Sequence, residues 1–376
     1  MSSGLTRLDP IESTQGEADR APTASTATAV RNMVITTTQG DVQENFGEEM
    51  RATTEACVDL VTLLLSCRHL KTFRYLGRRI SSDGDSYLPY ENYTKFQMIF
   101  ALIWSRMIAN SCGSKQQPPS TEQEECRPFA CLKQVYITEL GPWSWSQFLR
   151  DLLSLPELDT LSYIFPIDAW AFSLDPSPTR SATLQDLHLS TTAVDQRNFR
   201  ALFGAVQNLT SLHLDISGIS FKERNFDTYI NILREHGSLL AKLCITARSG
   251  ALKKLPPVSF SLFTRVKILS VPDSLLYDSE TTIDGFISRL PRKVEELTVT
   301  VQASRERTSA LLVDPALNKD QLPALKKVTV LVPDHENGSA NHELGVWLRP
   351  ISRIFTSRSL GFHYGKVSTT QPLHSG

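Results

Sequence analysis

Two histidines and two aspartates of this chain stand at matched positions of a repeated sequence. The six residues LQDLHL contain Asp186 and His188, and the six residues LTSLHL, 25 positions further on, contain His213 and precede Asp215. Two imidazoles and two carboxylates on neighbouring strands could bind a metal ion or carry out acid–base chemistry. Nothing in the sequence orders a third ligand. We therefore favour a polar patch that contacts a partner, and we predict neither a metal site nor a cofactor.

Other motifs that would indicate catalysis do not occur in the sequence. It contains no phosphate-binding glycine loop, no Gly-x-Ser-x-Gly and no His-Glu-x-x-His. The six cysteines form no Cys-x-x-Cys pair, which argues against a zinc finger. We predict that the protein has no catalytic residues and is not an enzyme.

The composition is that of an ordinary globular protein. The 376 residues are 41% hydrophobic and 21% charged, and the net charge of -1 gives no field that would attract nucleic acid or an anionic membrane. The first residues, MSSGLTRLDPIEST, lack the apolar core of a signal peptide. The longest apolar run, residues 98–104, is far shorter than the roughly 20 residues that span a bilayer. We expect a monomeric cytoplasmic or nuclear protein with free thiols that binds neither nucleic acid nor a membrane.

The six-residue pattern recurs along most of the chain. Counted from residue 132, successive copies are 26, 26, 25, 31, 26, 28 and 31 residues apart. A repeat of 20–50 residues is typical of a solenoid. The copies begin at residues 30, 70, 132, 158, 184, 209, 240, 266, 294 and 325, with a degenerate copy over 360–364.

The intervals between copies carry the spacing of amphipathic helices. Apolar residues at i, i+3, i+4 and i+7 form one face of a helix that can pack on a sheet. Two intervals, 165–182 and 248–265, lack such a quartet and predict loops or short helices. The quartets span Cys57–Leu64, Phe96–Ile103, Trp145–Leu152, Phe199–Val206, Phe226–Leu233, Ile283–Leu290 and Leu344–Ile351.

A strand followed by a helix and then by another strand predicts a parallel sheet, because the helix returns the chain to the edge where the first strand began. In each strand, pattern positions four and six should face the core, and positions three, five and seven should face outward. We predict an α/β fold: a curved leucine-rich-repeat-like solenoid of about nine to ten irregular repeats over 29–365, with the parallel sheet on the concave face and helices on the convex face. Residues 1–28 and 366–376 are expected to be disordered, and 113–125 a flexible loop.

The pattern and its connecting phrases resemble a known family. Leu-x-x-Leu-x-Leu at this spacing resembles leucine-rich repeat proteins, and the phrases LPEL from Leu155, LPAL from Leu322 and NLTSL from Asn208 resemble the irregular repeats of fungal F-box proteins. The resemblance implies a substrate adaptor of a cullin-type ubiquitin ligase. The chain departs from the family in two ways. Pattern position nine lacks the usual asparagine, and no F-box is recognisable.

The outward strand positions form columns that would face a protein partner. The residues at pattern position five form one column, which includes His188 and His213. Those at position three form another, which includes Asp186. Trp170 lies in an aromatic loop after one strand, where it could anchor a partner; we favour the alternative that it plugs the gap over the sheet. The residues expected to contact the partner are Arg74, Tyr136, Trp170, Asp186, His188, His213 and Asp215.

The functional prediction is a non-enzymatic protein-interaction scaffold related to F-box adaptors. One alternative is a leucine-rich repeat module with no link to ubiquitin. The other is a GTPase-activating leucine-rich repeat protein, a family whose repeats are more regular and keep the asparagine.

Two pairs of charged residues, Glu295-Glu296 and Lys326-Lys327, occupy matching positions of adjacent repeats. We expect them to pair and to help set the strand register.

Overall fold

The repeat region forms parallel strands with helices between them. The computed structural model describes residues 32–36, 67, 69–76, 129–138, 149, 151–164, 181, 183–190, 196–216, 226–247, 257–277, 283–301, 308, 312, 320–333 and 340–367. The chain divides into two compact units, Met1–Asn208 and Leu209–Gly376. The predicted flexible loop, the segment 1–28 and Trp170 lie outside the described residues.

Unit 1 contains five described strands, each parallel to the next along the chain. They are β1 (Asn32–Thr36), β2 (Thr72–Leu76), β3 (Gln134–Thr138), β4 (Thr160–Ile164) and β5 (Asp186–Ser190). Helix α1 (Gln196–Ala205) follows β5.

Unit 2 contains six described strands, again parallel and paired in chain order. They are β6 (Ser211–Asp215), β7 (Lys242–Thr246), β8 (Ile268–Pro272), β9 (Glu296–Thr300), β10 (Lys327–Pro333) and β11 (Gly361–Val367). Three helices and one 3-10 turn lie between them in the described segments: α2 (Phe226–His236), the turn Asp273–Leu275, α3 (Ile283–Ser288) and α4 (Ala340–Ser357).

The six-residue pattern predicts where the strands begin. Each of β1 to β10 starts at the third residue of a copy, and the register aligns matching positions of neighbouring copies, such as Tyr136 with Ser162. The predicted α/β class with an all-parallel sheet is therefore confirmed. The last strand runs to Val367, two residues beyond the predicted boundary at 365, because Lys366 and Val367 pair with Val332 and Pro333.

The core lies on one side of each sheet. From β2 to β10, every residue at pattern positions four and six is at most 2% exposed, whereas the outward positions are mostly half-buried or exposed. This alternation follows from the two-residue period of a strand. Burying one such aliphatic side chain contributes about 1.5–3 kcal/mol, so each repeat has two strong anchors in its strand alone. Tyr364 of β11 is the exception at 53% exposure, because β11 is the last strand of its sheet.

The helices cover this core with the predicted faces. In α1, Phe199, Leu202 and Phe203 are buried. In α2, all four predicted residues are buried, and α4 buries Leu348, Ile351 and Phe355 although Pro350 lies inside it. The quartets at 57–64 and 96–103 lie outside the described residues.

The described part of the interval 248–265 covers the core without a helix. Residues 257–265 form a turn in which Val258, Phe260 and Phe263 are buried. The N–H of Val258 donates to the carbonyl of Leu275, and that of Phe260 donates to the carbonyl of Arg289, each at 2.7 Å. Bulky apolar residues and backbone bonds thus replace the missing helical face. No helix in the described part of the chain has the length and apolar character needed to cross a membrane.

We predict that Gly237, at the end of α2, cannot be replaced by alanine without a loss of stability. A Cβ there would lie 2.5 Å from the backbone oxygen of Leu233, which accepts the Gly237 N–H. Gly237→Ala should lower the free energy of unfolding by about 1–3 kcal/mol, measured by urea denaturation. The control is Gly365→Ala, whose Cβ would meet only Leu331 Cδ2 at 3.7 Å. Equal losses in both variants would contradict the steric explanation.

Candidate functional site

The outward side chains of unit 1 form a row across its strands. Arg74, Tyr136, Ser162 and His188 are aligned by the register of β2 to β5. The guanidinium carbon of Arg74 lies 4.8 Å from the centre of the Tyr136 ring, which is within the range of a cation–π interaction. The Ser162 hydroxyl lies 3.3 Å from Nδ1 of His188. We call these four residues the polar row of unit 1.

Ser162 is the smallest residue of the polar row of unit 1, and it is almost completely buried. It faces outward by position but is only 3% exposed. Its neighbours in the row are Tyr136 on one side and His188 on the other, and both are larger. Ser162 is therefore nearly inaccessible between an aromatic ring and an imidazole. The sequence predicted the column but not this burial, because burial of a serine depends on the size of its neighbours 26 residues away on either side.

Beside this row, the third-position residues continue the polar surface. The hydroxyl of Thr72 donates to Oε1 of Gln134 over 3.3 Å, which ties β2 to β3 on the outward side. Asp186 is half-buried at the start of β5, two residues before His188. Asp186 and His188 thus lie on the same outward face, as the sequence predicted.

The corresponding row of unit 2 begins with His213 and Cys244, which are adjacent in the register of β6 and β7. His213 Nε2 lies 3.2 Å from the hydroxyl of Thr246, two residues beyond Cys244. Asp215 is half-buried on the same outward face of β6. We call His213, Asp215, Cys244 and Thr246 the polar cluster of unit 2.

A cysteine beside a histidine raises the question of a nucleophilic pair. Burial raises the pKa of Cys244, although its hydrogen bond with Ser270 and the charge of Lys242 act in the opposite direction. A catalytic thiolate needs a lowered pKa. The raised pKa of Cys244 therefore gives no support to a thiolate nucleophile in this cluster. Cys67, Cys131 and Cys244 are free thiols.

The predicted contact residues fall into separate groups in the structure. Arg74 and Tyr136 stack on each other, His188 contacts Ser162, and His213 contacts Thr246. Stacking of His188 on His213 concerns residues of two different units and stays a prediction. Across the described ranges, no three side chains among His, Cys, Asp and Glu come together as metal ligands.

The predicted charge pairs form in unit 2. Lys326 Nζ contacts Oε2 of Glu295, and Lys327 Nζ lies 3.8 Å from Glu296. The sequence prediction did not include Lys267, whose Nζ lies 3.1 Å from the other oxygen of Glu295. Lys267 occupies the same pattern position as Glu295 and Lys326, and this shared position is the signal that could have revealed it. The hydrogen bonds from Lys326 and Lys267 lower the pKa of Glu295.

Compared with models of protein families and with curated protein sequences, the chain gives no match. The site therefore has to be interpreted from its own residues.

The ion pairs of Glu295 should make stability depend on pH in one direction. A carboxyl whose pKa is lowered by folding stabilises the folded state above its ordinary pKa, and this contribution is lost as the pH falls through the lowered value. Glu295→Gln should therefore be less stable than the wild type at neutral pH, and the two should converge in acid. Urea denaturation over a pH series measures the difference.

The matched control is Glu157→Gln, because Glu157 faces one lysine, Lys133, at 3.6 Å rather than two. It should change stability less at neutral pH. A Glu295→Gln variant that stays less stable by the same amount at every pH would contradict the electrostatic origin of the effect.

Proposed function

We propose that this protein is a non-enzymatic, leucine-rich-repeat-type scaffold that binds a protein partner through the outward face of its parallel strands. The observation that carries the proposal is the segregation of side chains along each strand. Positions four and six are apolar and buried, while the outward positions are occupied by Arg74, Tyr136, His188, His213 and similar polar groups. An array built this way exposes a regular surface with a different side chain on every strand.

The side chains of that surface suit a protein partner. Arginine and tyrosine are enriched among the residues that contribute most binding energy at protein interfaces. Arg74 is already stacked on Tyr136, so less side-chain freedom is lost when a partner binds. His188, half-buried beside the nearly inaccessible Ser162, adds an imidazole to this surface.

We further propose that the partner is a substrate presented in a manner similar to that of F-box adaptors. The support is the style of the repeats: the irregular spacing of 25–31 residues and the connecting phrases that precede β4, β6 and β10. Since no F-box is recognisable, we expect the chain to bind its partner but not the adaptor subunit of a cullin ligase. Co-purification of that adaptor with the full chain would contradict this expectation. If the captured partner is not degraded in a ubiquitin-dependent way, the alternative is favoured, namely a leucine-rich repeat module with no link to ubiquitin.

The proposed surface can be tested with charge-reversal variants of the full chain. Arg74→Glu removes the stacked cation of unit 1, and His213→Glu places a charge in the polar cluster of unit 2. Each should reduce capture of partner proteins in an affinity pull-down by about tenfold or more, as expected for central interface residues. Quantitative mass spectrometry measures the captured proteins, and circular dichroism verifies folding.

The matched control is Arg197→Glu, because Arg197 is also an exposed arginine of unit 1 but lies in helix α1. It should leave capture unchanged. If Arg197→Glu lost the same proteins as Arg74→Glu, binding would depend on charge in general and the proposed face would be wrong.

A further inference from the structure

The strands of unit 2 begin at one edge of the sheet, and this edge is basic. Because the strands are parallel, the residues that lead into β7 to β11 lie side by side. Backbone hydrogen bonds confirm this. The N–H of Lys267 donates to the carbonyl of Ala241, that of Glu295 to the carbonyl of Lys267, and that of Lys326 to the carbonyl of Glu295. We define the basic rim as Lys242, Arg265, Lys267, Arg292, Lys293, Lys326, Lys327 and Arg358.

The rim carries an excess of positive charge that the chain as a whole does not have. Its eight cations face four described carboxylates at the same edge, those of Glu235, Glu295, Glu296 and Asp320. The whole chain has a net charge of -1. At the opposite edge of unit 2, the charged residues described just at or after the strand ends are Asp215, Asp273 and Lys366. Among the described residues of unit 2, positive charge is therefore concentrated at the edge where the strands begin.

The cations of the rim are accessible. The side chains of Lys267 and Lys326 are 59% and 71% exposed even though both contact Glu295. Two lysines that share one carboxylate keep a net positive charge. Arg265, Arg292, Lys293 and Arg358 are also exposed. A surface of this kind attracts anions over about a Debye length, roughly 8 Å at physiological salt.

The length of the rim suits a short extended segment. Five neighbouring strands at about 4.8 Å spacing span about 19 Å, the length of about six extended residues. Basic side chains occur at or just before the start of β7, β8 and β10 and in the turns before β9 and β11, whereas two glutamates stand at the start of β9 itself. An extended segment lying along this edge would therefore pass a cation near the beginning of each of the five strands.

The neighbourhood of the rim favours a protein segment over a nucleic acid. Leu262, three residues before Arg265 in the same turn, is 63% exposed, so an apolar side chain is available beside the cations. A leucine offers little to a phosphate backbone, whereas single-stranded nucleic acids are bound by aromatic side chains on which the bases stack. Among the described residues of the rim and its turn at 261–265, no aromatic side chain is exposed.

We propose that the basic rim binds an acidic segment of a partner protein that also carries apolar residues. The carboxylates of the segment would pair with Arg265, Lys293 and their neighbours, and an apolar side chain would cover Leu262. The basic rim shares no residue with the polar row or the polar cluster. Arg265 and Lys293, which test it, lie in turns before the strands, so the rim can be correct or wrong independently of the proposed binding face.

The test uses the full chain and a fluorescent peptide of about eight residues, mostly glutamate and aspartate with two leucines. Fluorescence anisotropy should show binding that weakens as salt rises. The double variant Arg265→Glu/Lys293→Glu should weaken binding about tenfold or more, because both cations become repulsive. The control Arg349→Glu/Arg353→Glu makes the same change of charge on exposed residues of α4 and should alter binding less than about twofold.

Three further outcomes decide the proposal. Leu262→Ser should weaken binding of the leucine-containing peptide but not of an all-glutamate peptide, and equal effects on both would remove the apolar part of the inference. If Arg349→Glu/Arg353→Glu weakened peptide binding as much as Arg265→Glu/Lys293→Glu, the peptide would be attracted by overall charge alone. That result would overturn the rim as a binding site. No binding of the peptide, or tighter binding of a single-stranded DNA of the same charge, would also overturn the proposal.

Discussion

In seven of the described repeats, one backbone carbonyl holds a neighbouring strand in place. The carbonyl of Lys71, just before β2, accepts the N–H groups of Lys133 and Gln134 at 2.9 and 3.0 Å. The same double acceptance recurs at Glu295, whose carbonyl accepts from Lys326 and Lys327. It is also made in the described segments by the carbonyls of Lys133, Asp159, Thr210, Ala241 and Lys267. Register is thus fixed where each strand begins, and the intervals between strands are free to differ in length.

Because this contact uses only the backbone, the side chain at that pattern position is unconstrained. Lysine, aspartate, threonine, alanine and glutamate all occur there. The chain can therefore vary the charge at the strand starts while this backbone contact is kept, and unit 2 does so with Lys267, Glu295 and Lys326. The outward strand positions are more restricted, because their side chains must fit beside neighbours about 4.8 Å away. This difference separates a charged edge from a face of aromatic and hydrogen-bonding groups.

The sequence predicts those parts of the structure that depend on local spacing. Strand starts, strand direction and the buried faces of α1 and α2 follow from apolar residues at fixed intervals, as in Leu184 to Leu189. It does not predict contacts between residues that meet only after folding. Asp273, which is fully buried, accepts hydrogen bonds from Tyr277 at 2.9 Å and from Thr308 at 3.1 Å. No periodicity marks Thr308 as a partner 35 residues away. The burial of Ser162 and the raised pKa of Cys244 arise in the same way.

The strict pairing of each strand with its predecessor in the chain affects how the protein can be made. Within each unit, a strand leaving the ribosome finds its neighbour already in place, since that neighbour lies earlier in the sequence. No described strand of either unit has to wait for a later segment of the chain before it can form hydrogen bonds with its predecessor. Each unit can therefore grow by one repeat at a time during synthesis, with only the newest apolar face open to water.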